Sequence, residues 1–137
     1  MADTLTIHAD SNHEYRIRAT VAGYEVDLLL DTGFTNDECL MGVSLDEASY
    51  RTVESRLHDF ADVAVHSVDP EPRVVESGIC VVELAGLDDS QVETRILNAG
   101  ENLLGVCYFH RLTDFTVSWD LAGRTMHIAR ISAQLRP

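Results

Sequence analysis

A chain of 137 residues with 45% hydrophobic content has enough apolar side chains for one core and one domain. Its net charge is −13 and all ten basic residues are arginine, so the surface repels nucleic acid and anionic membranes, and neither is an expected partner. No apolar run approaches the ~20 residues that span a bilayer, and Met1-Ala2-Asp3-Thr4 has no basic or apolar signal region, so a soluble, cytoplasmic protein is expected.

Residues 1–13 are polar and weakly patterned, which fits either a flexible arm or an edge strand. From Tyr15 to Val21 the residues alternate, with Tyr15, Ile17, Ala19 and Val21 on one face and Arg16, Arg18 and Thr20 on the other. That is the pattern of a half-buried strand. Ala22-Gly23 turns the chain, and Tyr24 to Leu30 returns as a second strand. Thr35 to Glu38 reads as a polar turn and Cys39-Leu40-Met41 as a short strand. Ser44 and Glu47 have the spacing of a capping box, which predicts a helix over about 45–58.

Asp62 to His66 reads as a strand, and Asp69-Pro70-Glu71-Pro72 as a turn or hairpin tip, because proline cannot serve inside a central ladder. Val74-Val75 and Ile79 to Leu84 form the returning strand, where Gly78 suggests a bulge. Gly86 to Ser90 is a turn, with Asp88-Asp89 inside it. Val92 to Leu97 is a strand and residues 98–102 a loop. Leu103-Leu104-Gly105 leads into a short helix over about 106–112. Phe115 to Trp119 and Thr125 to Ala129 make a last hairpin. A faint repeat sets Thr20-Val21-Ala22-Gly23 before Leu29-Leu30-Asp31-Thr32-Gly33, and Glu83-Leu84-Ala85-Gly86 before Leu103-Leu104-Gly105.

Cys39, Cys80 and Cys107 are an odd number without C-x-x-C spacing, which argues against a disulfide framework and a zinc site. They are expected to be small buried hydrophobes. The six histidines lack i, i+4 ligand spacing, so neither a metal nor another cofactor is expected. A carboxylate-rich surface without lysine also fits a halophilic protein, because concentrated salt screens self-repulsion.

The chemistry concentrates at Leu28-Leu29-Leu30-Asp31-Thr32-Gly33-Phe34. Three leucines read as a strand buried on both faces. An ionised aspartate at its end is costly unless it is paired or faces a polar cleft. Thr32 can satisfy nearby backbone groups, and Gly33 permits a tight turn or a close backbone approach. A carboxylate held at the mouth of such a strand suits acid–base chemistry. The alternative is a buried strand that simply ends in an Asx-type turn. Asp27, Asp37, Glu38, Asp46 and Glu47 read as solvent-facing or capping groups. His66 and Arg73 flank the hairpin tip, where they would meet either solvent or a substrate.

An apolar strand ending in Asp31-Thr32-Gly33, followed later by Leu103-Leu104-Gly105 and a short helix, resembles the retropepsin-like aspartic proteases. With Phe34 as the fourth letter it looks most like their prokaryotic single-domain D-T-G-F branch. The resemblance implies an all-β, retropepsin-like acid-protease barrel with one or two short helices. That domain would span 15–131, between an N-terminal arm (1–14) and a C-terminal tail (132–137). It implies an aspartic endopeptidase acting on peptide or unfolded protein. Asp31 would be catalytic, with Thr32 and Gly33 in support and Leu104 and Gly105 in the structural loop behind the site. Because the chain has one D-T-G, it also implies a homodimer in which two Asp31 side chains meet on a twofold axis, with Thr32 bonding across that axis.

The chain departs from the retroviral pattern at Thr35 and Val106, where those enzymes carry an Asp and an Arg that brace the dimer. The stretch between Gly42 and Gly78 contains no glycine, whereas retropepsin flaps are glycine-rich at the tip. The missing flap glycines favour the alternative of a dimeric peptide-binding or regulatory module with little hydrolysis, whereas the intact Asp31-Thr32-Gly33 favours the enzyme. A glycosidase-like pair of unlike carboxylates is a third option, for which the sequence selects no second partner.

Overall fold

The alternation in residues 15–21 becomes strand β2 (Arg16–Val21), which buries Ile17, Ala19 and Val21 and leaves Arg16 and Arg18 in solvent. The computed structural model describes residues 2–36, 38–66 and 71–131. Strand β1 (Thr4–His8) precedes β2, and β3 (Tyr24–Asp31) follows it across a two-residue turn. Both turn residues, Ala22 and Gly23, have positive φ, the geometry that matches the twist of a hairpin.

The remaining strands are β4 (Met41–Leu45), β5 (His58–Val65), β6 (Arg73–Leu84), β7 (Val92–Asn98), β8 (Leu103–Gly105), β9 (Phe115–Asp120) and β10 (Thr125–Arg130). Helix α1 (Glu47–Val53) follows β4 and runs into a 3-10 turn at Glu54–Arg56, and α2 (Val106–His110) follows β8. The architecture is all-β with two short helices, as expected.

Six strands close a barrel in the order β2-β3-β8-β4-β7-β6, because β2 also pairs with β6. Strand β5 adds to β6 outside the ring. A separate three-stranded sheet has the order β1-β10-β9. Residues 4–8 are therefore a strand rather than a free arm. Arg130 donates to Asp3 Oδ1 beside β1 at 2.9 Å and ties this sheet to the barrel by donating to the Asp88 carbonyl, in the turn after β6, at 3.0 Å. Tyr50 of α1 and Tyr108 of α2 are fully buried in the core. The Tyr108 hydroxyl donates to the Ser90 carbonyl.

The barrel order reads the same under an exchange of halves, in which β2-β3-β4-α1 maps onto β6-β7-β8-α2. β3 pairs with β8 in parallel, and its image β7 pairs in parallel with β4. The symmetry corrects the repeat read from sequence. The counterpart of Leu29-Leu30-Asp31-Thr32-Gly33 is Ile96-Leu97-Asn98-Ala99-Gly100, at the end of β7, and not Leu103-Leu104-Gly105.

Other expectations change as well. Ser44 is no helix cap: it is buried in β4, and Asp46 caps α1 by accepting the Ser49 N–H at 2.8 Å. The helix is shorter than expected because β5 already begins at His58. The bulge lies on β5, where Asp59 and Phe60 fall opposite Gly78, and Asp59 takes a positive φ. A Cβ on Gly78 would come within 2.7 Å of Leu57 Cβ, so the glycine provides room for that packing. Asp69-Pro70 and the tail at 132–137 lie outside the described residues.

The largest correction concerns cysteine. Cys39 and Cys107 form a disulfide across 68 residues of sequence. Cys80 alone is a free buried thiol, and burial pushes it up to about 11.

Candidate active site

Asp31 closes β3 opposite Gly105 of β8, in a parallel register that also pairs Leu29 with Leu103 and Leu30 with Leu104. The apolar strand leaves the barrel here and the chain must turn. Asp31 Oδ1 accepts the Gly33 N–H at 2.9 Å, and the Asp31 carbonyl accepts the Phe34 N–H at 3.1 Å. The Asx-type turn weighed from sequence is therefore present. The same half-buried carboxylate also borders two cavities.

The larger cleft, about 810 Å³, runs between the Asp31 loop and the β5–β6 hairpin. Gly33, Phe34, Thr35, Asn36 and Met41 line it from one side, and Val65, His66 and Arg73 from the hairpin. Leu97, Leu103 and residues 99–101 complete it. The Arg73 guanidinium donates to the Ala99 carbonyl at 2.7 Å, which ties the hairpin to the loop after β7. Ser44 also borders this cleft, and its hydroxyl is buried without a hydrogen-bond partner. The lining thus mixes apolar side chains with polar ones, among them Asn36, His66, Arg73 and Glu101, that are able to orient a ligand.

The second cavity, about 430 Å³, lies on the other side of Asp31 and is lined by Tyr15, Leu30, Thr32 and Trp119. Tyr15 and Trp119 meet edge to face with ring centroids 4.9 Å apart. Thr32 and Gly33 are exposed on the ridge between the two spaces.

Leu104 and Gly105 are buried directly behind the loop. A Cβ at 105 would come within 2.5 Å of the Phe34 carbonyl oxygen, so only glycine lets the loop lie this close. Asn102 braces the same region. Its side chain accepts the Asp46 N–H at 2.8 Å and donates to Asp46 Oδ2 at 3.2 Å, while its carbonyl accepts the Leu29 N–H at 2.9 Å. The Ser49 amide, then Asn102, hold Asp46 below the usual carboxylate range.

Sequence reasoning placed Asp31, Thr32, Gly33, Leu104 and Gly105 near one another, and the structure brings them together. It missed the contribution of residues 99–101, whose signal was the echo between Ile96-Leu97-Asn98-Ala99-Gly100 and the Asp31 stretch. It also missed the aromatic pair at Tyr15 and Trp119, for which spacing gives no signal. Among the described residues no cluster of histidine, cysteine or carboxylate side chains could hold a metal ion.

No family model and no curated protein matches the sequence. Solved structures do match in fold. A retropepsin-like aspartic protease from Rickettsia conorii aligns with a TM-score of 0.69 at 12% identity, covering 95% of this chain and 92% of that one. The EIAV protease, bound to an inhibitor, aligns with a TM-score of 0.54 at 16% identity, covering 72% of this chain and 86% of that one. No helix among the described residues is long and apolar enough to cross a membrane. The chain has the fold of the retropepsin-like aspartic proteases.

Proposed function

We propose that the protein is an aspartic endopeptidase whose site is completed by a second copy. The observation that carries this reading is the position of Asp31 on a ridge between two cavities, one lined to take a ligand and the other open beside half-buried Tyr15 and exposed Trp119. One carboxylate per chain is half of an aspartic dyad. The exposed Thr32 and the Tyr15–Trp119 side form the face on which a second copy brings the partner's Asp31 to the axis.

Two such carboxylates share one proton across a bound water. The ionised Asp31 takes a proton from the water, which attacks the scissile carbonyl carbon. The protonated partner donates to the carbonyl oxygen. The Gly33 N–H holds Asp31 Oδ1, which fixes the plane of the carboxylate and leaves Oδ2 for the water. In the cleft, apolar Phe34, Leu97, Leu103 and Val65 beside polar Asn36, Arg73 and Glu101 suit an extended peptide or an unfolded protein segment.

The alternative is a dimeric peptide-binding module that hydrolyses little. A peptide-library digest at mildly acidic pH, with wild type and Asp31→Asn compared as verified dimers, separates the two. Cleavage by wild type that falls at least about 100-fold in the variant supports the peptidase. Equal cleavage by both proteins, or none by a verified dimer across pH and salt, overturns it.

A further inference from the structure

The Cys39–Cys107 disulfide joins the two segments that build the candidate site. Cys39 ends the loop that leaves Asp31, and Cys107 lies in the helix that follows Gly105. The backbone hydrogen bonds described within 31–39 are local turns, from Phe34 to Asp31 and from Cys39 to Asn36. The loop nevertheless supplies Phe34, Thr35 and Asn36 to the cleft wall. Cys39 sits at φ 53, a left-handed conformation that a residue with a Cβ adopts at a cost. The Asn36 carbonyl and side chain, which accept the Cys39 and Leu40 N–H groups at 3.1 and 3.0 Å, hold the turn locally, and the covalent link to α2 anchors it to the barrel.

The two sulfurs differ in their surroundings. Cys107 is fully buried, whereas Cys39 is half-buried, so Cys39 is the more accessible residue of the two. His110 Nδ1 lies 3.3 Å from Cys39 Sγ, and Thr35 Oγ1 lies 3.5 Å from Cys107 Sγ. Each sulfur therefore has a group able to stabilise it when the bond opens.

We propose that Cys39 and Cys107 are a reversible dithiol–disulfide site that sets the order of the Asp31 loop. Its effect on cleavage rests on the peptidase reading, and its effect on the loop does not. A small thiolate attacks the sulfur of the less buried Cys39, the S–S bond breaks, and the electron pair leaves on Cys107 Sγ beside the Thr35 hydroxyl. A second thiolate attacks the outer sulfur of the mixed disulfide and frees the Cys39 thiolate beside His110. The two thiols leave as one disulfide, and their protons pass to the two cysteines. Oxidation is the reverse, with a small-molecule disulfide as the oxidant. In the reduced state Cys39 is free to leave its left-handed conformation, and the cleft wall from Phe34 to Asn36 loosens with it.

The test uses the full chain, purified without reductant, treated with oxidised or with reduced glutathione. Peptide mapping identifies the 39–107 cross-link and the free Cys80. Hydrogen exchange is then measured over 34–40, with Cys39→Ala as a variant that keeps the buried Cys107. The expected result is a cross-link in the oxidised protein alone and amides at 34–40 that exchange about tenfold faster once reduced. Cys39→Ala should resemble the reduced protein in both glutathione states, and cleavage should fall severalfold on reduction and recover on reoxidation. Free Cys39 and Cys107 after treatment with oxidised glutathione, or equal exchange in the two states, overturns the proposal. A loop that responds in a protein that cleaves in neither state overturns the peptidase reading alone.

Discussion

Asp31 and Gly105 face each other in the parallel ladder between β3 and β8, and the missing side chain of Gly105 is the space into which the Phe34 carbonyl fits. The loop that presents the carboxylate is therefore shaped by a residue on another strand. The neighbour a Cβ would strike is backbone, which cannot rotate away. Gly105→Ala is expected to cost roughly 1–3 kcal/mol of stability through overpacking and to displace the Asp31 loop. Urea unfolding measures the first effect and hydrogen exchange over 31–36 the second.

The cap of α1 links the helix to the site through Asn102. Asp46→Ala should cost about 1 kcal/mol. The Ser49 amide holds the folded carboxyl of Asp46 below its ordinary value. Its contribution is thus fully present above the unfolded carboxylate value and is lost as pH falls through the lowered one. Thermal melts of wild type and Asp46→Ala should differ at neutral pH and converge in strong acid. Asp46→Asn keeps an acceptor for the Ser49 N–H without the charge, so its melting curve should show less of this pH dependence.

The Arg73 bond to the Ala99 carbonyl crosses from the β5–β6 hairpin to the loop that mirrors the Asp31 loop. Arg73 is exposed, so Arg73→Ala should change stability by no more than about 0.5 kcal/mol. Peptide binding should weaken, because the hairpin loses its tie across the cleft. Steady-state kinetics should show KM rising more than kcat falls. An unchanged KM would remove Arg73 from the cleft's function.

The charge of −13 predicts a response to salt. The Arg51 pairs with Glu47, Glu54 and Glu76, and the Arg16 and Arg18 pairs, all involve exposed side chains. Such pairs contribute little individually, and added salt weakens them. Repulsion among the excess carboxylates is screened over the same range and is the larger effect. The melting temperature should rise from dilute buffer to molar sodium chloride. A fall would end the halophilic reading.

Much of this fold was legible because alternation and turn chemistry are local. Tyr15 to Val21, Ala22-Gly23 and the hairpin from Phe115 to Ala129 carry their structure in neighbouring residues. Asp31-Thr32-Gly33 was legible because a carboxylate at the end of three leucines breaks a pattern. The disulfide was not, because Cys39 and Cys107 are distant in sequence and only the β3–β8 pairing brings their segments together. Ser44 misled because a cap and a buried strand serine look alike until the strand that covers it is known. The counterpart of the Asp31 stretch at Ile96 to Gly100 was visible in residue types, but Leu103-Leu104-Gly105 follows closely and matched the two leucines better.

Mixing wild-type and Asp31→Asn chains tests most directly whether each chain contributes one half of the site. At constant total protein, with subunits allowed to exchange, a shared dyad leaves about one quarter of the activity at equal proportions, because only one dimer in four carries both aspartates. Activity that instead tracks the wild-type fraction, and stands at one half in the same mixture, would contradict a site built from two chains.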